Sequence, residues 1–541
     1  MITNKKAFIN GKILTMDEKH PEVEAMLVED DKVKKIGGSK EILSIAEDAE
    51  IIDLMGKRIL PGMNDSHMHL LSYGLSIKKV DLRQCKSLQD IREEILGYLE
   101  TEEEKYFGDW IVGHGWNEEN FSLPEYPIAE FLDDICKDRP IYISRACYHM
   151  AAVNHKALQL AGIDNTTQSP EGGKIDKYED GKPTGVLREN ALLMAYNLIS
   201  ISDEVEVLKK LISDSVEDGL RVGLTSIQSD DFGHVKDYNC VVEAYKSLEE
   251  ENALNVRINL QMLVNKSTLE KIIASNIKTG TGSDLLKYGP LKVLADGSLG
   301  GRTAALQEAY EDDKENNGIL IHSRSYLRDL LQTAAAADIQ LAVHAIGDRT
   351  MVELLDLYEE IYLHDDTKRP RLIHCQITNK EILEKMAKLK VIADIQPSFV
   401  MTDMKMVENR VGKERAKDSY IWKSMLNQGV MVAGSSDAPI ESFNPFWGIY
   451  AAVTRRNLDE KPEGGWYPEE CLAIMEAIRL YTVGSSYATF EEEIKGKLKE
   501  GYLADFIVLD KDIMEINPLE IKDLEVEATY VGGECVYKID R

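Results

Sequence analysis

Cysteine is scarce in this sequence and follows no recognisable pattern. Its seven cysteines, among 541 residues, lie far apart and include no Cys-x-x-Cys pair. Disulfide-stabilised domains and thiolate zinc sites both need closely spaced cysteines, so neither is indicated. We expect the chain to work in the reducing cytoplasm.

Long apolar runs and excess positive charge are also absent. Nowhere do about 18 uncharged apolar residues follow one another, as a membrane-spanning helix requires, and the N-terminus has no apolar signal-peptide segment. Against 94 Asp and Glu stand only 64 Lys and Arg, a formal net charge of −30. Such a chain repels phosphate, so neither nucleic acid nor an anionic membrane is an expected partner.

Short strand-like segments stand at both ends of the chain. The first includes KAFINGKIL, with Asn10-Gly11 as a hairpin signal, and the last include ADFIVLD and ATYVGGECVYKI. We predict that residues 1–60 and 495–541 combine into one small, composite β domain that resembles a β-sandwich.

The middle of the chain alternates apolar strand-like runs with amphipathic helical stretches. Eight strand candidates occur, at residues 62–70, 223–229, 256–263, 291–297, 340–346, 371–376, 391–397 and 430–437. Repeated βα units build a parallel sheet, and eight of them close a TIM (β/α)8 barrel. The predicted fold class is therefore α/β, with the barrel over residues 61–494.

Residues 100–215 interrupt this alternation after the first βα unit and carry strand-like runs of their own. We interpret them as an inserted subdomain. It ends in a Gly-rich polar stretch, SPEGGKIDKYEDGKPTG, for which a mobile lid and an exposed loop are both open interpretations.

Four histidines occupy the strand candidates in a pattern that indicates a metal site. His67 and His69 lie two apart, so strand alternation puts both imidazoles on one face. His344 and His374 come near the carboxyl ends of later strands, where barrel active sites lie. One such histidine would more often be a core residue, but together they predict ligands of a zinc-class ion.

Two further residues extend this site. Asp437 ends the eighth strand candidate in GSSDAP, where capping of the following loop is the alternative. Lys292 stands inside the apolar strand LKVLADG, where burial of an ammonium is costly. Beside metal ions, a neutral lysine can take up carbon dioxide as a bridging carbamate. The alternative is a lysine that snorkels to the rim or pairs with Asp296.

The order of these residues resembles the ligand order of binuclear amidohydrolases: His-x-His on the first strand, Lys on the fourth, His on the fifth and sixth, and Asp on the eighth. Several segments are similar to motifs of one branch, that of N-substituted formamide deformylase: LKVLADGSLGGRTAAL, LAVHAIGDRT, RLIHCQ, GSSDAPI, GKLKEGYLADFIVLD and HMAAVNHKALQLAGI. The resemblance spans nearly the whole chain, and it specifies scaffold and metal site more than substrate.

The resemblance implies a metal-dependent hydrolase that acts on a C–N bond other than a peptide bond, in an amide, an N-formyl or N-acyl amine, or a cyclic amide. One or two divalent ions, expected to be zinc, would be held by His67, His69, Lys292, His344, His374 and Asp437, with Lys292 carbamylated. A divalent metal lowers the pKa of bound water from about 15.7 to near 7 and so supplies hydroxide. Asp437 is the expected catalytic residue, which moves the proton.

A deaminase is not implied. Nucleobase deaminases of this superfamily carry a glutamate three residues after the histidine of the fifth strand, and here that position is Gly347.

We expect a small-molecule substrate, contacted by residues of the βα loops and the insertion: Trp116, His149, Asp296, Ser298 and Arg302. Structural alternatives are core packing for Trp116 and His149 and a surface ion pair for Arg302.

Two other functions stay open on the sequence alone. The same site suits an ester, a lactone or a phosphoester, and a regulatory protein can keep a structural metal without turnover. For the oligomeric state, a homodimer is expected only from barrel surfaces in general.

Overall fold

The structure, a computed structural model, describes residues 5–101, 106–147, 149–170, 172–199, 201–362, 365 and 367–540. The chain divides into two compact units. The first comprises Met1–Ser72, Ile212–Gly233 and Tyr245–Arg541, and the second comprises Tyr73–Leu211 and His234–Ala244. The domain limits that the sequence suggests stay a prediction.

Eight parallel strands form the central sheet of the first unit. In chain order they are Met63–Met68, Leu224–Ser229, Arg257–Leu263, Leu286–Leu294, Leu341–Ala345, Arg371–His374, Ile392–Ile395 and Met431–Gly434, each paired with the next. The first and eighth strands meet at their carboxyl ends, where the Asp437 amide donates to the His67 carbonyl at 2.9 Å. The sheet is thus a nearly closed TIM barrel, and the predicted fold class is confirmed.

Helices alternate with these strands along the chain, as the amphipathic pattern predicts. They are Leu70–Ser76, Val205–Arg221, Tyr238–Glu250, Lys266–Ala274, Arg324–Ala336, Asp348–Tyr362, Lys380–Lys388, Phe399–Ala416, Trp422–Asn427, Pro445–Thr454, Ile474–Arg479 and Ser485–Ala488. Helix Arg324–Ala336 shows why such a sequence forms a helix packed on the sheet: the side chains that it buries are spaced three and four residues apart. They are Leu327, Leu330, Leu331 and Ala334. No helix of the described residues is long and apolar enough to cross a membrane.

Strands from both ends of the chain share one sheet. Its order is Glu534–Lys538, Val526–Val531, Phe506–Leu509, Arg58–Pro61, Lys12–Leu14 and Glu22–Val23. A second sheet has the order Lys32–Gly37, Ala25–Glu29, Lys5–Ile9 and Glu50–Asp53, and helix Ser39–Ile45 lies between Lys32–Gly37 and Glu50–Asp53 in the chain. Phe8, Phe506 and Tyr530 meet in one apolar core, with ring centroids 4.4 Å apart for the stacked pair of Phe506 and Tyr530. The two chain ends therefore fold around a common core.

The second unit has a sheet of its own. Its strands, in order, are Gly173–Lys177, Pro183–Glu189, Met150–Val153, Ile141–Arg145, Ile111–Trp116 and Val80–Asp81, and its helices are Leu88–Thr101, Ala129–Asp133, His155–Leu160 and Leu193–Tyr196. The Gly-rich stretch contributes strand Gly173–Lys177, which pairs antiparallel with Pro183–Glu189. A hairpin therefore occupies this stretch, and its action as a lid stays a prediction.

Short turns of helix complete the description. They are the 3₁₀ turns Glu118–Asn120, Asn190–Leu192, Phe232–His234, Pro468–Glu470 and Pro518–Asp523, and the π turn Leu480–Gly484.

Candidate metal centre

The six side chains predicted as metal ligands come together at the carboxyl ends of the barrel strands. All of them line one cavity of about 380 Å³: His67, His69, Lys292, His344, His374 and Asp437. Strand register aligns them, since Leu294 pairs with His344 and Ala345 with His374. This is the face at which barrel enzymes carry their active sites.

His67, His69 and Asp437 form the tightest group. Their ligand atoms all lie within 4.8 Å of one another, and Asp437 Oδ1 is 3.2 Å from the Nε2 atom of each imidazole. Asp437 has a φ of 58°, a conformation that few residues other than glycine adopt. Such strain persists only where the surroundings hold it, as they do at functional sites. Asp437 thus combines an uncommon backbone conformation with contacts to both histidines.

Each of the four imidazoles has an oxygen atom at its Nδ1. The partners are Gln261 Oε1 for His67 at 2.8 Å, the Asp230 carbonyl for His69 at 3.0 Å, Asp296 Oδ1 for His344 at 2.9 Å and Gln396 Oε1 for His374 at 2.8 Å. Oxygen partners of this kind fix the ring orientation and place the proton of a neutral imidazole on Nδ1. The Nε2 lone pairs are then available to a metal ion.

The two glutamines are oriented by contacts of their own. Gln261 donates from Nε2 to the Ser66 carbonyl at 2.9 Å, and Gln396 donates from Nε2 to Ser435 Oγ at 2.8 Å. Each Oε1 must therefore accept from its histidine. Neither glutamine was predicted from the sequence. The signal was polar residues within otherwise apolar strand-like runs, as in NLQML and ADIQP, the same kind of signal that singled out Lys292.

Lys292 lies inside the cavity rather than at its rim. Its side chain is 1% exposed, and Nζ donates to His67 Nε2 over 2.9 Å. Neither snorkelling nor a pair with Asp296 describes this placement. Burial lowers the pKa of Lys292, which favours the neutral amine.

Burial and close contact shift the pKa values of this group of side chains. Burial is the largest cause that lowers the pKa of His67 to about 3, and Lys292 acts in the same direction. Burial also lowers the pKa of His69, but hydrogen bonding and the charge of Asp437 outweigh it and raise the value to about 9. Burial raises the pKa of Asp437, yet its two histidines hold it well below the ordinary range. Imidazole nitrogens and a carboxylate of this kind suit a zinc-class ion.

Asp296, Ser298 and Arg302 have three different placements. Ser298 lines the cavity, as a substrate contact requires. Arg302 instead forms an ion pair with Asp312 at 2.9 Å, which is the surface alternative. The Asp296 side chain is buried, and His344, Thr350 and backbone amides satisfy its oxygens. Asp296 therefore orients His344 and does not line the cavity, so its contact with substrate stays a prediction.

Trp116 and His149 both belong to the second unit. Trp116 is fully buried, and its indole N–H donates to the Ile143 carbonyl at 3.0 Å. This corrects its assignment from substrate contact to core packing. The His149 side chain is 72% exposed and pairs with Glu189 at 2.9 Å, so it is not a core residue, and its contact with substrate stays a prediction.

The remaining wall of the cavity is mainly apolar. Its apolar side chains are Leu294, Leu299, Ile346, Phe399, Met406 and Ile440. The other residues of this wall are Gln376, Ser298, Gly300 and Asp403. Three of these residues, Phe399, Asp403 and Met406, lie on helix Phe399–Ala416. The contribution of this helix to the cavity was not predicted from the sequence. Its spacing of four and three residues was the available signal.

A TIM barrel with four histidines, a lysine and an aspartate at the carboxyl ends of its strands is typical of metal-dependent barrel hydrolases. Residues 50–537 match the model of the Amidohydrolase family, so the chain belongs to that family. It is similar to YtcJ of Bacillus subtilis (strain 168), 34% identical over 536 residues, which cover 99% of each chain. It is 27% identical over 546 residues to N-substituted formamide deformylase of Arthrobacter pascens, with 98% of each chain covered.

A solved structure agrees with this assignment. An uncharacterized metal-dependent hydrolase from Pyrococcus furiosus matches with a TM-score of 0.79 and 32% identity, covering 95% of this chain and 100% of that one. The predicted family and enzyme class are confirmed, and the chain is a metal-dependent hydrolase of the amidohydrolase family.

Proposed function

We propose that this hydrolase cleaves a C–N bond other than a peptide bond, in an amide, an N-formyl or N-acyl amine, or a cyclic amide. The observation that carries the proposal is the convergence of four imidazoles, Lys292 and Asp437 on one cavity of about 380 Å³. Similarity to N-substituted formamide deformylase along 98% of the chain supports the choice of bond.

Each of the six side chains has a proposed role. His67 and His69 would hold one divalent ion, His344 and His374 would hold a second, and Lys292, as a carbamate, would offer oxygen ligands. Carbamate formation joins Nζ to the carbon of carbon dioxide and releases a proton, which gives the buried amine a carboxylate-like end. Zinc is the proposed metal because its preferred ligands are of these types. A bound divalent ion polarises a carbonyl group and lowers the pKa of water.

Asp437 is the proposed proton carrier. A carboxylate oxygen takes the proton of the attacking water and passes it to the leaving nitrogen, and such transfer contributes about 100- to 10,000-fold in rate. The apolar wall of the cavity holds the substituent of the substrate and excludes bulk water. We therefore expect Asp437→Asn to lose about 100-fold or more in kcat while its metals stay bound. Full turnover in that variant would refute the role.

Metal content is the first test. Elemental analysis of protein purified without chelator should find about two zinc-class ions per chain, as in two-metal hydrolases. We expect one ion or none in Lys292→Ala. His322→Ala is the control, because His322 packs on Tyr326 and does not line the cavity. Absence of metal in metal-replete wild-type protein would contradict the proposal.

Substrate class is the second test. Release of formate from N-formyl alkylamines should be faster than turnover of lactones or aryl phosphates by the same metal-loaded preparation. If only lactones or aryl phosphates were hydrolysed, the assignment to C–N bonds would be wrong.

A further inference from the structure

We propose that Asp403 makes this cavity selective for ligands that carry a positively charged nitrogen beyond an apolar linker. The inference deepens the proposed function, on which the reaction rests, because it names the substrate class of the same site. Binding of the charged nitrogen is a property separate from hydrolysis, and it can be measured without turnover.

Helix Phe399–Ala416 brings Asp403 to the cavity. Phe399, Asp403 and Met406 are four and three residues apart, so they share one face of the helix, and all three line the cavity. The Phe399 ring stacks on His374, with ring centroids 6.3 Å apart and an angle of 18°. Asp403 follows about 6 Å further along the helix axis. A carboxylate on the cavity wall therefore stands about one helical turn beyond the ring that stacks on His374.

Buried partners hold this carboxylate in place. The Tyr420 hydroxyl donates to Asp403 Oδ2 at 2.7 Å. Tyr420 is itself buried, and its carbonyl accepts from Nη1 of the fully buried Arg455 at 2.9 Å. Arg455 also donates from Nε to the Trp466 carbonyl at 2.6 Å. Because Tyr420 occupies one oxygen of Asp403, the other is left for a ligand.

A second carboxylate, that of Glu441, lies close to Asp403. Within the described part of the chain, neither Asp403 nor Glu441 forms an ion pair with a lysine or an arginine. Glu441 accepts from Thr402 at 2.7 Å, and burial together with the charge of Asp403 raises its pKa. Burial also raises the pKa of Asp403. A cationic nitrogen in the cavity would stabilise both carboxylates, and the net charge of −30 draws cations toward the molecule.

The rest of the wall suits the apolar part of such a ligand. Leu294, Leu299, Ile346, Met406 and Ile440 offer no hydrogen-bonding side-chain group. Ammonium and guanidinium groups are the two kinds of charged nitrogen that could bind here. A guanidinium matches a carboxylate best, because its N–H groups are held in a fixed planar arrangement that suits carboxylate oxygens. The substrate class that fits is an amide with a short alkyl linker to an ammonium or guanidinium group.

The test compares two ligands of the same shape and different charge. Isothermal titration of the metal-loaded protein with n-pentylguanidinium and with neutral n-pentylurea should show about 10- to 100-fold tighter binding of the cation. Asp403→Asn should reduce this preference to about 2-fold or less, with pentylurea binding unchanged. Glu414→Gln is the matched control, since Glu414 lies on the same helix and pairs with Lys417 at the surface.

A second variant covers the case in which Asp403→Asn folds poorly. Tyr420→Phe keeps the carboxylate and removes its positioning hydrogen bond, so we expect part of the preference to be lost. Equal binding of both ligands by wild-type protein, binding of neither, or an Asp403→Asn variant that keeps the preference would overturn the inference.

Hydrolysis separates this inference from the proposed function. N-(5-aminopentyl)formamide and N-hexylformamide differ by an ammonium group in place of a methyl group. We expect wild-type kcat/KM to favour the first by about 10-fold or more, and Asp403→Asn to abolish the difference. If neither formamide is hydrolysed while the guanidinium preference depends on Asp403, the proposed reaction fails and the cation subsite stands.

Discussion

Asp296 shows at the scale of one residue how the site is held. Its carboxylate accepts hydrogen bonds from His344 Nδ1, Thr350 Oγ1 and the amides of Ala305, Ile346 and Gly347. In Asp296→Asn one carboxylate oxygen is replaced by an amide NH2 group, which cannot accept a hydrogen bond. Part of this set of hydrogen bonds is therefore lost. Partners that orient metal-binding histidines typically contribute 10- to 100-fold in metal affinity. We predict a loss of about that size, measured by competition with a chelator.

Thr350→Val is the control for Asp296→Asn. It removes one donor to Asp296 Oδ2 and leaves the contact between Oδ1 and His344. We expect the free energy of unfolding to fall by about 1 kcal/mol and metal affinity to stay unchanged. Wild-type metal affinity in Asp296→Asn would show that His344 needs no such anchor.

The convergence of the six candidate ligands on one cavity could be predicted from the sequence because their chemistry is unusual at the ends of apolar strands. The role of Asp296 could not. A carboxylate two residues beyond a strand can point toward a substrate or toward a neighbouring strand, and the register that pairs Leu294 with His344 decides between them. Register depends on contacts between distant segments, which a single sequence does not display. The same holds for Gln261 and Gln396.

At the scale of elements, the start of helix Asp348–Tyr362 packs closely on the turn at Ala305. A Cβ atom on Gly347 would lie 1.9 Å from the Ala305 carbonyl oxygen. Because backbone would have to move, we predict that Gly347→Ala lowers the free energy of unfolding by about 1–3 kcal/mol or more. Urea denaturation followed by circular dichroism measures this loss.

Gly300→Ala provides the comparison for Gly347→Ala. A Cβ atom on Gly300 meets no atom within 4 Å. Its effect on stability should therefore stay within about 0.5 kcal/mol. Equal midpoints for the two variants would mean that the turn at Ala305 yields without cost.

The presence of each barrel strand could be predicted from the sequence, whereas its first and last residues could be predicted less well. The fourth candidate covers residues 291–297, whereas the strand is Leu286–Leu294. Its first half, with Lys287, Tyr288 and Gly289, has no apolar pattern, and it is a strand because it pairs with Ile258–Leu260. The strand in the Gly-rich stretch could not be recognised from the sequence for the same reason, because it lacks an apolar pattern. Its polar residues conceal strand Gly173–Lys177, whose partner supplies the hydrogen bonds.

At the scale of the whole molecule, a buried ion-pair group stands where the barrel leads into the C-terminal strands. Glu491 binds Lys495 at 2.6 Å and Lys287, on the fourth barrel strand, at 2.7 Å. Burial raises the pKa of Glu491, but the two lysines outweigh it and lower the value from 4.5 to about 2. A carboxyl group with a lowered pKa in the folded state binds its proton more readily when the chain is unfolded. Its stabilisation is therefore complete above about pH 5 and is lost as the pH falls toward 2.

Glu491→Gln should remove this pH-dependent part of the stability. At pH 7 we expect the free energy of unfolding to fall by about 3–5 kcal/mol, because Lys495 is left buried without its partner. On acidification from pH 5 the wild-type protein should lose stability faster than the variant, so that the difference between them shrinks. Chemical denaturation at pH 7, 5 and 3 measures both effects. The exposed Glu515, paired with Lys12, gives the control Glu515→Gln, for which about 0–1 kcal/mol is expected. Parallel curves for wild type and Glu491→Gln would show that Glu491 titrates alike in the folded and unfolded chain.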